Sequence, residues 1–279
     1  MVKFSFLRFF KLVIVSLFIL QAPKVFSYPQ QVDDTKSEEN FFSIIILVQT
    51  AIQPALEAQD IQLHWDIKWD SKIENAHPYN DGGLNKYGIS IHGGLYRKAG
   101  VSSDVFIFVL CHEIGHILGG SPKNPFFSEM SSEGQADYYA TSVCLPLVFN
   151  NLPNTDYLKN RSVPSSVQSR CWRAWQNIDQ SAICQKSIMA AYDFFEVMFA
   201  NSKDQISLDK PDLSKVDKTI DNAYPAQQCR FDTVVAGALC NSEKKTSEKI
   251  GLPRNCSSTI LSERQGSRPA CWFNDSNLN

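Results

Sequence analysis

His112-Glu113-Ile114-Gly115-His116 is the stretch on which the reading of this chain turns. On a helix advancing ~100° per residue, positions four apart lie about 40° apart on one face. Both imidazoles can therefore reach one metal ion. Glu113 lies about 100° round the helix, beside that ion rather than on it, where a general base can take a proton from an attacking water. The residues before the motif, Val105-Phe106-Ile107-Phe108-Val109-Leu110-Cys111, are almost wholly apolar. They read as a buried helix opened by Ser102-Ser103-Asp104 as N-cap and first turn, and ended by Gly119-Gly120 and Pro122. A helix buried nearly all round carries His, Glu and His inward only with a compensating partner.

A catalytic zinc commonly takes three protein ligands and keeps one position open. Gly119 would suit a pattern with a third His three residues on, but Pro122 stands there and no His follows His116. The third ligand must be an acid or a Cys. The best acid lies in Glu133-Gly134-Gln135-Ala136-Asp137, which opens a second apolar helix with Ser131 or Ser132 as N-cap. Glu133 and Asp137 are four apart and share a face. Glu133 can bind the metal while Asp137 accepts the free ring N–H of a ligand His, which fixes its tautomer. Glu129 competes for the ligand position. Cys111 abuts His112 but points about 100° away from the His112 face, against ligation.

HEIGH followed by a Glu-x-x-Ala-Asp helix resembles the gluzincins. Within them it is most similar to the CAAX prenyl endopeptidases and their soluble bacterial periplasmic relatives. Tyr87-Gly88-Ile89-Ser90-Ile91-His92-Gly93-Gly94-Leu95 resembles the strand-plus-Gly-Leu element before the active-site helix of that family. The resemblance implies a substrate-pairing edge at Ile89, Ile91, Gly93 and Gly94. Tyr224-Pro225 with Arg230 is similar to the family's His-Pro pair and following Arg, with Tyr224 in the place of the His. The resemblance makes Tyr224 an oxyanion donor and sets Arg230 to bind Glu133, Asp137 or the substrate. It covers Tyr87 to Leu145 well and Tyr224 to Cys240 loosely. It implies one catalytic Zn²⁺ on His112, His116 and Glu133, Glu113 as base, and a peptide or protein substrate.

The start of the chain reads as a secretory signal over residues 1–27. Lys3, Arg8 and Lys11 precede the short apolar run Leu12 to Leu20, and Val25-Phe26-Ser27 is a passable cleavage site. An uncleaved anchor is the alternative. Loss of these residues removes four basic side chains, counting Lys24, and no acids, taking the net charge from −2 to −6. A mildly acidic chain without a Lys/Arg cluster argues against a nucleic-acid partner. No segment after the signal reads as a stable membrane span. Eight cysteines, all beyond residue 100, suggest disulfides and a secreted or periplasmic location. Most lie in the C-terminal half, where Cys256 and Cys271 could close the tail.

The expected fold is α+β: a mainly helical, zincin-like catalytic domain with a small sheet and a disulfide-stapled C-terminal region. Residues 28–40 read as a flexible lead-in, 41–240 as the metallopeptidase domain and 241–279 as a loop-rich tail. Phe41 to Ala58 has helical spacing of Ile44, Leu47, Val48, Ile52 and Leu56. Ile61 to Ile67 alternates as a strand. Val167 to Ala200 reads as helix, with Trp172, Trp175, Ile178, Ile183, Ile188, Phe194, Phe195 and Phe199 as core. His64, His77 and His92 read as surface or strand residues. The resulting expectation is an exported zinc-dependent endopeptidase. Its alternative is a zincin-fold binding or scaffold protein of the cell envelope with little or no proteolysis.

Overall fold

A computed structural model describes residues 36–127, 129–241, 256 and 266–274. The signal and most of the tail lie outside the described residues. The architecture is α+β, dominated by helix, with one small mixed sheet.

Helix α1, Glu38–Ala58, is capped by Ser37, whose hydroxyl accepts from the Asn40 N–H, with Glu38 and Glu39 favouring the helix dipole. Residues 38–40, read as the end of the lead-in, are therefore helical, and residues 28–35 lie outside the described residues. The expectation of no membrane-length segment after the signal is also corrected. On length and composition α1 is apolar enough to cross a bilayer. Here its face of Phe41, Ile44, Leu47, Val48 and Ile52 is buried in the domain core.

Three strands follow: β1, Gln62–Lys68; β2, Ala76–Gly83; and β3, Lys86–His92. Their order is β1-β3-β2, with β1 parallel and β2 antiparallel to β3. This corrects the assignment of a substrate edge to Ile89 and Ile91. β3 is the central strand, paired on both sides, and both isoleucines are fully buried. Gly93 and Gly94 open a short helix, α2, Gly93–Arg97, and do not extend the strand. A Cβ on Gly93 would lie 2.0 Å from the Trp69 carbonyl oxygen, and one on Gly94 2.5 Å from that of Ile73. These glycines let α2 press against the turn that leads into β2.

Helix α3, Ser103–Leu118, runs through the centre of the core. Ser102 caps it by accepting from the Val105 N–H. Helix α4, Glu133–Tyr139, continues through a π-helical turn, Ala140–Cys144, into α5, Leu145–Phe149. Gly115, inside the HEIGH motif, sets the approach of α3 to α4. A Cβ there would lie 2.6 Å from the Ala136 carbonyl oxygen. The Cys111–Cys144 disulfide ties the same two helical segments together.

Helix α6 is Asn154–Asn160. The long helix expected over 167–200 is two: α7, Ser165–Trp175, and α8, Ile178–Met198. Gln176 takes a left-handed conformation, and the Asn177 side chain caps α8 by accepting from Asp179 and Gln180 N–H groups. The break resets the helical phase, so Trp172 (54 % exposed) and Ile178 (68 % exposed) are not core residues, whereas Trp175, Ile183, Ile188 and Phe195 are buried. Helix α9, Gln227–Leu239, packs on α4, the π-turn and α8.

All eight cysteines are paired: Cys111–Cys144, Cys171–Cys184, Cys229–Cys271 and Cys240–Cys256. Cys256 and Cys271 do not join each other; each anchors the tail to an end of α9. The described part of the tail packs into the domain. Trp272 is fully buried, and its ring fills the space that a Cβ on Gly134 would need.

Candidate metal centre

The close contact of α3 and α4 brings four of the singled-out side chains together. His112 and His116 project from one face of α3, with their Nε2 atoms 3.2 Å apart. Glu133, at the start of α4, places Oε2 3.4 Å from His112 Nε2 and Oε1 3.7 Å from His116 Nε2. One donor atom from each residue lies within 4.8 Å of the others. Glu129, the competing acid, is instead exposed and holds the Asn80 amide.

The opposite ring nitrogens fix the tautomers. His116 Nδ1 is 2.8 Å from the Ser131 carbonyl oxygen. A carbonyl only accepts, so this nitrogen carries a hydrogen and Nε2 presents its lone pair. His112 Nδ1 lies 2.9 Å from Asp137 Oδ1, an ion-pair contact outside hydrogen-bond geometry with a carboxylate that can only accept. Both Nε2 atoms thus turn toward the same point, as does Glu133 Oε2, a buried oxygen with no hydrogen-bond donor. Such a point is filled by a cation: a proton on one ring, or a metal ion. Two imidazoles and a carboxylate, two of them oriented from behind by oxygen acceptors, suit Zn²⁺.

Arg230 from α9 explains how the acids are held. Its Nε and Nη2 donate to the two oxygens of Asp137 at 2.7 and 2.9 Å, and Nη2 is 3.6 Å from Glu133 Oε2. Among the partners foreseen for it, Arg230 takes the two carboxylates. It is buried, with its guanidinium turned to these acids.

The charges of the group are strongly coupled. Burial disfavours a charged His112, yet the Asp137 carboxylate outweighs it and lifts the ring to about 10. Burial and the adjacent charged His112 push His116 down to about 4. Burial tends to raise Asp137, but Arg230 and His112 hold it well below the usual carboxylate range. Glu133 is lowered too, its burial outweighed by His112. Glu113 moves the other way. Buried beside the site, with Glu133 and Asp137 adding negative charge, it rises to about 8.

Tyr224 stands at the rim, 69 % exposed, its ring over the Arg230 guanidinium. Partial burial of its hydroxyl and the nearby Glu133 charge push it up to about 12, so it remains a donor at neutral pH.

Two cavities meet at this centre and share His116, Glu133, Tyr224 and Pro78. One, of about 260 Å³, reaches Glu113, Val109 and Phe194. The other, of about 650 Å³, lies under the turn that joins α3 to α4 and is lined by Tyr79, Phe126, Phe127 and Met130. Both run along β2, whose outer edge pairs with no strand among the described residues. The Asn75 carbonyl accepts from the His92 N–H, so Ala76 and Pro78 alternate outward toward the cleft. Proline has no N–H to leave unpaired there, which is where edge strands tolerate it.

Three features were not foreseen from sequence: the β2 edge, the Ser131 carbonyl and the Phe126–Phe127 turn. Only the last leaves a sequence signal, an aromatic pair in an otherwise polar, Pro- and Ser-rich link between two ligands. Elsewhere Asp212 lies near Cys229 and Cys271, but those sulfurs are joined to each other and offer no thiolate. His92 is buried against the Ser71 hydroxyl and His64 is exposed, whereas the exposed His77 lines the smaller cavity beside the centre. Comparison with protein-family models, curated proteins and solved structures found no match.

Proposed function

We propose that this chain is an exported, zinc-dependent endopeptidase with a zincin-like catalytic domain. The observation that carries the reading is the convergence of three lone-pair donors, His112 Nε2, His116 Nε2 and the unpartnered Glu133 Oε2, on one point beside a buried Glu113. The four disulfides fit a chain that matures in an oxidising compartment.

His112, His116 and Glu133 would hold the ion. When bound, Zn²⁺ supplies Lewis-acid chemistry and makes water acidic enough to react near neutral pH. The remaining roles belong to the chain. Asp137 and the Ser131 carbonyl keep both imidazoles in the ligating tautomer, and Arg230 keeps Asp137 ionised and aimed. Glu113 can hold a proton at its carboxylate near neutral pH. It takes one from the attacking water and passes it to the leaving amine. The Tyr224 hydroxyl donates to negative charge developing on the substrate carbonyl oxygen. Ala76 and Pro78 on the β2 edge offer backbone groups to an extended peptide.

The test is cleavage of an unfolded protein substrate by zinc-loaded chain, beside Glu113→Gln. The expected result is that wild type cuts and the variant is slower by about 10³-fold, with zinc retained. Equal cutting by both proteins would remove Glu113 from the reaction and with it this mechanism.

A further inference from the structure

The turn between α3 and α4 joins the second His to the third candidate ligand, so whatever it carries is placed at the centre. It carries two phenylalanines, Phe126 at 74 % and Phe127 at 64 % exposure. Exposed apolar side chains are ordinary when scattered, but two adjacent ones rimming a cavity are not. This turn is also well tied. Asn124 N–H donates to the Met130 carbonyl at 2.8 Å, and Met130 N–H to that of Phe127 at 2.7 Å. Phe126 N–H donates to the Asn124 side-chain oxygen at 2.9 Å, and Lys123 pairs with Ser131 as an isolated bridge. The aromatic pair is therefore presented by a held backbone at the rim of the cavity.

The opposite wall is the β2 edge, through Pro78 and Tyr79, and Met130 lies between the walls. A cavity of about 650 Å³ could take a large side chain. Pro78, Tyr79, Phe126, Phe127 and Met130 give it an apolar wall beside the polar Asn80, Asn124, Glu129 and Ser131, and His116, Glu133 and Tyr224 stand where it meets the centre. An extended chain running along β2 sends alternate side chains to one face, so one of them falls between β2 and the Phe pair.

We infer that Phe126 and Phe127, with Met130, Pro78 and Tyr79, form a specificity pocket that selects a bulky apolar residue in a peptide bound along β2. The inference rests on the peptide-hydrolase reading of the same cleft. Met130 adds an unbranched, adaptable floor, which suits aromatic and long aliphatic residues alike. Phe126 and Phe127 are specificity determinants that act on a substrate side chain rather than on the metal.

The experiment uses zinc-loaded Glu113→Gln chain and fluorescein-labelled alanine-rich peptides in which a single Phe is walked through successive positions. Anisotropy reads the dissociation constant. One Phe position is expected to bind about 10-fold more tightly than the all-alanine peptide, as filling an apolar pocket does. Adding Phe126→Ser and Phe127→Ser should reduce that preference to about 2-fold or less and leave the all-alanine affinity and the zinc content unchanged. Phe126→Leu with Phe127→Leu should keep most of it. An undiminished preference in the serine variant, or none in the parent, overturns the pocket. Cleavage by wild-type chain with no dependence on the Phe position would leave the peptidase and remove the pocket. Phe-dependent binding without cleavage of any peptide by wild-type chain would keep the pocket and remove the peptidase.

Discussion

Helices α3 and α4 and the turn that joins them break the usual distribution of polarity in opposite directions. The helices bury Glu113 and Asp137 and, through α9, a guanidinium, and half-bury His112, His116 and Glu133, at the edge of a core of isoleucine and phenylalanine. The turn holds two phenylalanines out at the surface. Each arrangement costs free energy on its own: buried charge loses hydration and exposed aromatic surface orders water. Found side by side, they describe one cleft with a polar floor and an apolar wall. The floor is compensated internally, by the chain Arg230–Asp137–His112 and by the Ser131 carbonyl. Among the described residues the two rings of the wall stay exposed, and the pocket proposed for them takes its compensation from a substrate side chain.

The sharpest way to break the floor is Asp137→Ala, which leaves Arg230 buried without its bidentate partner and His112 without its acceptor. Uncoupling one half of such a pair costs about 3–5 kcal/mol, so chemical denaturation should show a marked loss of stability. In the milder Asp137→Asn, which keeps the shape, zinc affinity should fall by about 10- to 100-fold as measured by competition with a chromophoric chelator. Unchanged affinity in Asp137→Asn would show that the contact behind His112 does not orient it.

A smaller effect separates Glu113 from its neighbours. Its folded value, about 8, stands above the 4.5 of an unperturbed Glu. The folded state therefore keeps this proton longer than the unfolded chain does. Metal-free protein should lose stability between pH 4.5 and 8 on this account, with no contribution below that window and the full cost above it. Glu113→Gln lacks the penalty. In chelator, its stability advantage over wild type should open across the same window, reaching on the order of 5 kcal/mol, as urea unfolding at a series of pH values would read. Parallel profiles would mean that Glu113 ionises freely and is not held in a dry site.

The floor was legible in the sequence and the wall was not, for a physical reason. His112, His116, Glu133 and Asp137 lie on two helices, where a spacing of four fixes a common face whatever the tertiary structure does. Gly115 could be read as a motif letter, but its function, the close approach to Ala136, needed the second helix in place. β2 was missed because Ala76-His77-Pro78-Tyr79-Asn80-Asp81 has little strand propensity and no clean alternation. It is a strand because buried β3 needs a second hydrogen-bonding partner. For the same reason the edge of the sheet was placed one strand too far inward. The single helix over 167–200 failed at Gln176-Asn177, where a side-chain cap restarts the helix without a Gly or Pro to announce it. The count of cysteines foretold disulfides, but only the fold could choose partners for Cys256 and Cys271.

The central claim is that His112, His116 and Glu133 are built to hold one metal ion. Elemental analysis of purified chain, dialysed against trace zinc beside Glu133→Ala, tests it most directly. About one zinc per wild-type chain and almost none in Glu133→Ala is the expected result. Wild-type chain without metal, or a full complement of zinc in Glu133→Ala, would contradict the account.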